Sequence, residues 1–135
     1  MDKTFEEYIL SMNKRAVEYA KSFDKDFNYK EDNIEDLEEI LDYYSNDLKS
    51  EMPTENQIYS MALIWGAYLG QMIKEHVNPA LNWVNEDVFD DGEIIHLKSG
   101  ENRIFPIDKV YKRLINGKED NIISFYKVIK EEFNN

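Results

Sequence analysis

The chain has no cysteine among its 135 residues, so disulfides, thiolate-bound metals and cysteine nucleophiles are all excluded. No apolar run approaches the ~20 residues of a membrane span. The opening stretch, MDKTFEEYIL, lacks the basic start and apolar core of a secretory signal. Bases are scarce: 16 lysines and arginines face 28 aspartates and glutamates, for a formal net charge of −12. Such a field repels nucleic-acid backbones and anionic membranes and favours cationic partners, and it also promotes solubility. Together these features predict one cytoplasmic domain spanning residues 1–135, with no nucleic-acid or membrane partner. At this length, folding buries roughly two-thirds of the unfolded surface.

What is present begins with Met61 to Gly70, MALIWGAYLG, the one stretch without a polar face. It sits in a helical pattern from about Thr54 to His76, and a helix apolar all round must be enclosed by other elements. Thr54 and Gln57 form a capping box at its start, and Asn78-Pro79 ends it. Two amphipathic helices precede it. The first, from Asp2 to about Ser22, carries Phe5, Ile9, Met12, Ala16 and Ala20 on one stripe. The second starts at Asp32 or Asn33, both good caps, and carries Ile34, Leu37, Ile40, Leu41, Tyr44 and Leu48. Between them, Phe27 and Tyr29 are expected to fold back as anchors.

The rhythm then changes to short runs rich in Val, Ile, Trp and Phe. Asn82 to Phe89 and Glu93 to Leu97 flank Asp90-Asp91-Gly92, a strong hairpin signal, and a third strand follows at Asn102 to Phe105. Pro106 opens a fourth helix that stops at Gly117, and Asp120 or Asn121 caps a fifth. The predicted fold is therefore α+β: three N-terminal helices around a buried central one, a three-stranded antiparallel meander, and two C-terminal helices.

Charge is uneven along the chain. Lys30 to Glu55 holds ten acids against two lysines, while the stretch from Glu101 onward has six acids and seven bases. Glu35 with Glu39, and Glu38 with Asp42, are like-charge pairs four apart, which cost a few tenths of a kcal/mol each in an isolated helix. Packing must hold that helix, and its outer face must be strongly negative.

Catalytic and metal-binding patterns are missing. His76 and His96 fall in different elements, with no His-Glu-x-x-His zinc helix and no carboxylate-x-x-His pairing. His96 alternates with Ile95 and Leu97 and is expected to point outward. Asp87, Asp91 and Gly92 echo a calcium loop only loosely, since Phe89 and Lys98 occupy ligand positions. No phosphate-binding loop or nucleophile elbow can be assembled, so no metal and no cofactor is expected. Lys109, Lys112 and Arg113 form a small basic face suited to pairing with the acidic helices.

Gly66 and Gly70 lie four apart on one helix face, each costing close to 1 kcal/mol relative to alanine. Close approach by a neighbouring helix or the sheet explains the pair; the functional alternative is the floor of a pocket lined by Trp65, Tyr68, Trp83 and His96.

The run Gly66-Ala67-Tyr68-Leu69-Gly70, then Trp83, Pro106, Lys112-Arg113-Leu114 with Gly117, and Asp120 through Ser124-Phe125-Tyr126 resembles small bacterial domains of unknown function. In these a Gly-x-Tyr-Leu/Val-Gly helix precedes a Trp-bearing meander and a Lys-Arg-Leu-x-x-Gly helix end. The resemblance covers roughly residues 58–133 and implies a fold without implying an activity. Gln71 stands where those domains often carry glutamate.

The leading expectation is a small acidic, non-enzymatic protein of the immunity or regulatory type that engages a basic protein. Its contact residues are Glu35, Asp36, Glu39, Asp42, Asp90 and Asp91. Alternatives are a small-molecule-binding domain or weak enzyme using the aromatic pocket, and a structural or oligomer-forming module.

Overall fold

A computed structural model describes residues 3–133 of the chain, an α+β arrangement of five helices and a three-stranded antiparallel sheet. The helices are α1 (Lys3–Ala20), α2 (Asn33–Glu51), α3 (Glu55–His76), α4 (Pro106–Asn116) and α5 (Ile122–Phe133). The strands β1 (Asn82–Asp87), β2 (Glu93–Ser99) and β3 (Asn102–Ile104) pair in sequence order. The start expected at Asp2 lies outside the described residues.

The centre is α3. Trp65 through Gly70 are all buried, whereas Met61, Leu63 and Ile64 are only partly covered, so full enclosure is confined to the second half of the apolar run. Helix α1 packs on one side of α3 and α4 on another, while α2 lies against α4. The capping box forms as expected: the Gln57 N–H donates to Thr54 Oγ1 at 3.2 Å, and the Thr54 N–H donates to Gln57 Oε1 at 2.8 Å.

The glycine pair is structural. A β-carbon on Gly66 would stand 2.6 Å from the Ile107 Cα, and one on Gly70 would overlap the indole of Trp83. One glycine admits the start of α4 and the other admits the sheet. Both of the expected neighbours are therefore present, one at each glycine.

Helix α2 begins at Asn33, as expected, but without the expected side-chain cap. Asp32 has helical backbone angles and makes no capping bond with its side chain. Asn33 instead turns its amide into the α1–α2 linker. Its Oδ1 accepts from the N–H groups of Asn28 (2.8 Å) and Tyr29 (3.1 Å), and its Nδ2 donates to the Asp26 carbonyl (3.0 Å). That pull holds Tyr29 at a φ of 64°, a left-handed conformation that side chains disfavour. Phe27 and Tyr29 do anchor the linker, both packing on Tyr68.

At the other end of the chain, Asn121 caps α5, its Oδ1 accepting from the Ile123 N–H at 2.8 Å. Gly117 ends α4 with a φ of +88°. Phe89 falls beyond β1, is 67% exposed, and leans on Phe105. Tyr8, Tyr19, Tyr43 and Tyr59 lie on the surface.

Candidate functional site

The aromatic pocket expected from Trp65, Tyr68, Trp83 and His96 does not form. Trp65 and Tyr68 leave α3 on the side opposite its glycines, and both are buried. Trp65 packs among Tyr19, Phe27 and Tyr44, with ring centroids 6.0–6.4 Å away. The Tyr68 hydroxyl donates to Asn33 Oδ1 at 2.7 Å and accepts from the Tyr29 N–H at 2.9 Å. Burial pushes that phenol far above its ordinary value, so it serves as a neutral hydrogen-bonding post. Trp83 sits across α3, against Gly70 and Pro106. These side chains are core.

His96 corrects the expectation in a second way. Register pairs Trp83 with Leu97 and Val84 with His96, so His96 does occupy the sheet face opposite the core residues Trp83, Leu97 and Ile104. That face is covered all the same. Phe105 stacks on the imidazole at 4.8 Å, and His96 is fully buried. Its Nδ1 lies 2.7 Å from the Ile94 carbonyl and can only donate there, which leaves Nε2 to accept from Arg103 Nη1 at 2.7 Å. Arg103 Nη1 also donates to Glu86 Oε1 at 2.8 Å. Burial lowers the His96 pKa, and the adjacent guanidinium acts in the same direction. The result is a neutral imidazole wedged in a Glu86–Arg103–His96 network, a locking group with no open approach for a substrate.

The acidic residues separate into three sets. Glu35 and Glu39 are exposed on α2, while Asp36 is half-buried and accepts from Asn33 Nδ2 at 3.1 Å; Lys25 pairs with Glu39 and stands 3.5 Å from Asp36. Asp42 is drawn inward, accepting from Arg113 Nη2 at 2.7 Å, and this pairing lowers its pKa. Asp90 and Asp91 are exposed at the tip of the β1–β2 hairpin, on a separate element, with Asp90 at a φ of 58°.

Arg113 accounts for one of the like-charge pairs on α2. It is fully buried and grips Glu38 through two nitrogens, at 2.9 and 2.8 Å, while Nη2 also reaches Asp42. Glu38 Oε1 accepts as well from the Ile122 N–H at the start of α5, at 3.2 Å. One guanidinium thus turns the Glu38/Asp42 repulsion into a joint between α2, α4 and α5. The basic α4 face pairs with the acids as its sequence suggests, and the Arg113 pairing is buried. Lys109 and Lys112 stay local, on Asp120 and Asp108.

Two adjoining concavities share only Trp83 with the residues that the sequence singles out as a pocket. A cavity of about 510 Å³ lies between α1, the end of α3 and the start of β1, with Glu6, Asn13, Gln71, Glu75 and Trp83 among its walls. A wider groove of about 770 Å³ adjoins it, sharing Glu6, Asn82 and Trp83 and running along residues 82–86. The Trp83 Nε1–H is buried without a partner, an unusual state for an interior donor. Asn13 is satisfied: its Nδ2 donates to the Ile9 carbonyl at 3.1 Å and its Oδ1 accepts from the Tyr29 hydroxyl at 3.2 Å. A sequence pattern reports which side chains turn inward on one element, and a groove between three elements has no such signature.

The chain matches no protein-family model, no curated protein and no solved structure. The resemblance drawn from the glycine helix and the tryptophan meander therefore rests on its motifs alone and transfers no functional residue. Among the described residues, no helix is long and apolar enough to cross a membrane.

Proposed function

We propose that this chain is a non-enzymatic binding protein that receives a cationic protein partner on the outer face of α2. The observation that carries the reading is the exposed pair Glu35 and Glu39 on a packed helix, with half-buried Asp36 beside them and Lys25 bridging Asp36 and Glu39. Carboxylates held on a rigid element present a fixed negative pattern. Such a pattern steers a basic surface into register and accelerates its encounter. The groups that resemble catalytic candidates are committed to structure: the His96 ring is locked between Arg103 and Phe105, and Tyr68 is tied to the linker. Asp90 and Asp91 form a second exposed acidic point on the hairpin tip.

The test uses affinity capture at low and high salt, comparing the natural chain with a variant carrying Glu35→Lys, Asp36→Lys and Glu39→Lys. Asp42 is left intact because its pairing with Arg113 belongs to the fold. A basic protein retained at low salt, released at high salt and absent from the variant eluate supports the reading. Identical retention by both proteins would refute it.

A further inference from the structure

Strand β1 forms one edge of the sheet, since its only strand neighbour is β2. Antiparallel pairing uses the N–H and C=O of alternate residues on one side, so about half of the backbone groups of β1 face away from β2. Among the described residues, no loop or turn backbone bonds to that outer side. A groove of about 770 Å³ lies against β1, lined by Phe5 and Glu6 of α1, residues 82–86 and Glu93 of β2. It continues into the cavity of about 510 Å³, with which it shares Glu6, Asn82 and Trp83. An open row of backbone donors and acceptors beside a trough is the geometry that takes up an extended peptide as an added strand.

Charge selects the occupant. Glu6 and Glu93 line the groove and Glu75 lines its continuation, and none of the three has an ion-pair partner among the described residues. Glu86 is the fourth acid, already shared by Arg103 and Lys98. Among the described residues the lining base is Lys74, which donates to the Leu81 carbonyl at 2.7 Å and so faces its own backbone. A second copy of the chain would bring another −12 of charge and the same glutamates onto the edge.

We propose that the outer edge of β1 binds an extended, lysine- or arginine-bearing peptide segment as a fourth strand, seated between β1 and the start of α1. The site shares no residue with the α2 face and stands or falls separately from it. Main-chain hydrogen bonds along β1 supply affinity, and Glu6, Glu75 and Glu93 supply the preference for basic side chains.

The experiment uses a fluorescein-labelled nonapeptide, Thr-Lys-Val-Arg-Lys-Val-Lys-Thr-Arg, followed by fluorescence polarisation. Two further versions are N-methylated at the odd or at the even residues. Methylation removes the donors on one side of an extended peptide without altering its charge. Strand addition requires one methylated version to bind within about two-fold of the parent and the other to bind at least about ten-fold more weakly. The double variant Glu6→Lys/Glu93→Lys alters two unpaired carboxylates and leaves the core untouched. It is expected to bind the parent peptide at least about ten-fold more weakly, with Glu35→Lys/Glu39→Lys staying within about three-fold. Equal binding of the two methylated versions overturns the proposal, as does an absence of binding up to about 1 mM peptide. So does affinity that follows the α2 charges while ignoring Glu6 and Glu93. Sedimentation showing that the peptide-free chain dimerises through β1 would also overturn it, by giving the edge to a second copy.

Discussion

The indole of Trp83 occupies the space that a β-carbon on Gly70 would require, so the sheet and the central helix meet at the smallest residue available. The contact fixes where β1 begins and therefore where the groove beside it lies. Gly70→Ala gains helix propensity of close to 1 kcal/mol, yet it must displace a buried ring, and overpacking of this kind costs about 1–3 kcal/mol. A net loss of stability is expected in urea unfolding, together with a change in tryptophan fluorescence. Gly66→Ala should be at least as costly, because there the obstructing atom belongs to the backbone of Ile107, which cannot rotate away. Unchanged midpoints for both variants would contradict the close approach.

Arg113 carries the joint between α2, α4 and α5. Arg113→Ala strips the counterion from Glu38, whose other contact is the Ile122 N–H, and breaking a buried pair from one side costs about 3–5 kcal/mol. The paired change Arg113→Met with Glu38→Leu removes both charges and should recover most of that loss. Urea midpoints of the single and double variants decide the matter. A double variant as unstable as Arg113→Ala alone would mean that the geometry of the joint, and not the stranded charge, sets the cost.

The His96 network makes stability depend on pH in a defined direction. The native imidazole is held neutral below its ordinary value of 6.5, so as pH falls past 6.5 the unfolded chain takes up a proton first. Stability is full above that value and declines as pH drops towards the lower native pKa. The carboxylates of Glu31, Asp42, Glu86 and Asp120 are likewise lowered by their partners, but their losses fall in a more acidic window, below their ordinary values of 4.5 and 3.8. Unfolding free energies measured at pH 7.5 and 5.5 should differ more for the natural chain than for His96→Gln. Equal differences would show that the ring titrates normally in the fold.

The elements that follow from local chemistry were legible in the sequence. The capping box at Thr54, the Asp90-Asp91-Gly92 turn, the Pro106 start and the Gly117 stop each depend on a few neighbouring residues, and each appears where expected. The misreadings share another cause. His96 has the side-chain parity that strand alternation demands, yet it is buried because Phe105, nine residues on, folds over it. Neither Asp32 nor Asn33 caps α2 with its side chain, because the Asn33 amide is taken up by the linker and by Tyr68 on a distant helix. Trp65, Tyr68 and Trp83 were grouped by residue type, whereas the turn of α3 sends the first two away from the third. The groove beside β1 was illegible for the same reason, because three separate elements build it.

Glu35 and Glu39 face water four residues apart on α2, an arrangement that works slightly against the helix. Glu35→Lys replaces the repulsion with an attraction and should leave stability unchanged or raise it by a few tenths of a kcal/mol. Circular dichroism melts of the two proteins measure this directly. Reversing Glu39 as well discards its exposed pair with Lys25, and exposed ion pairs of this kind contribute little to stability. The expectation is therefore a reversed α2 face on an intact fold. If so, those carboxylates are dispensable to folding, and any binding lost with them is lost at a surface and not through the core. A melt lowered by many degrees would instead assign Glu35 and Glu39 a structural task and withdraw the ground for reading that face as a place where a cationic partner docks.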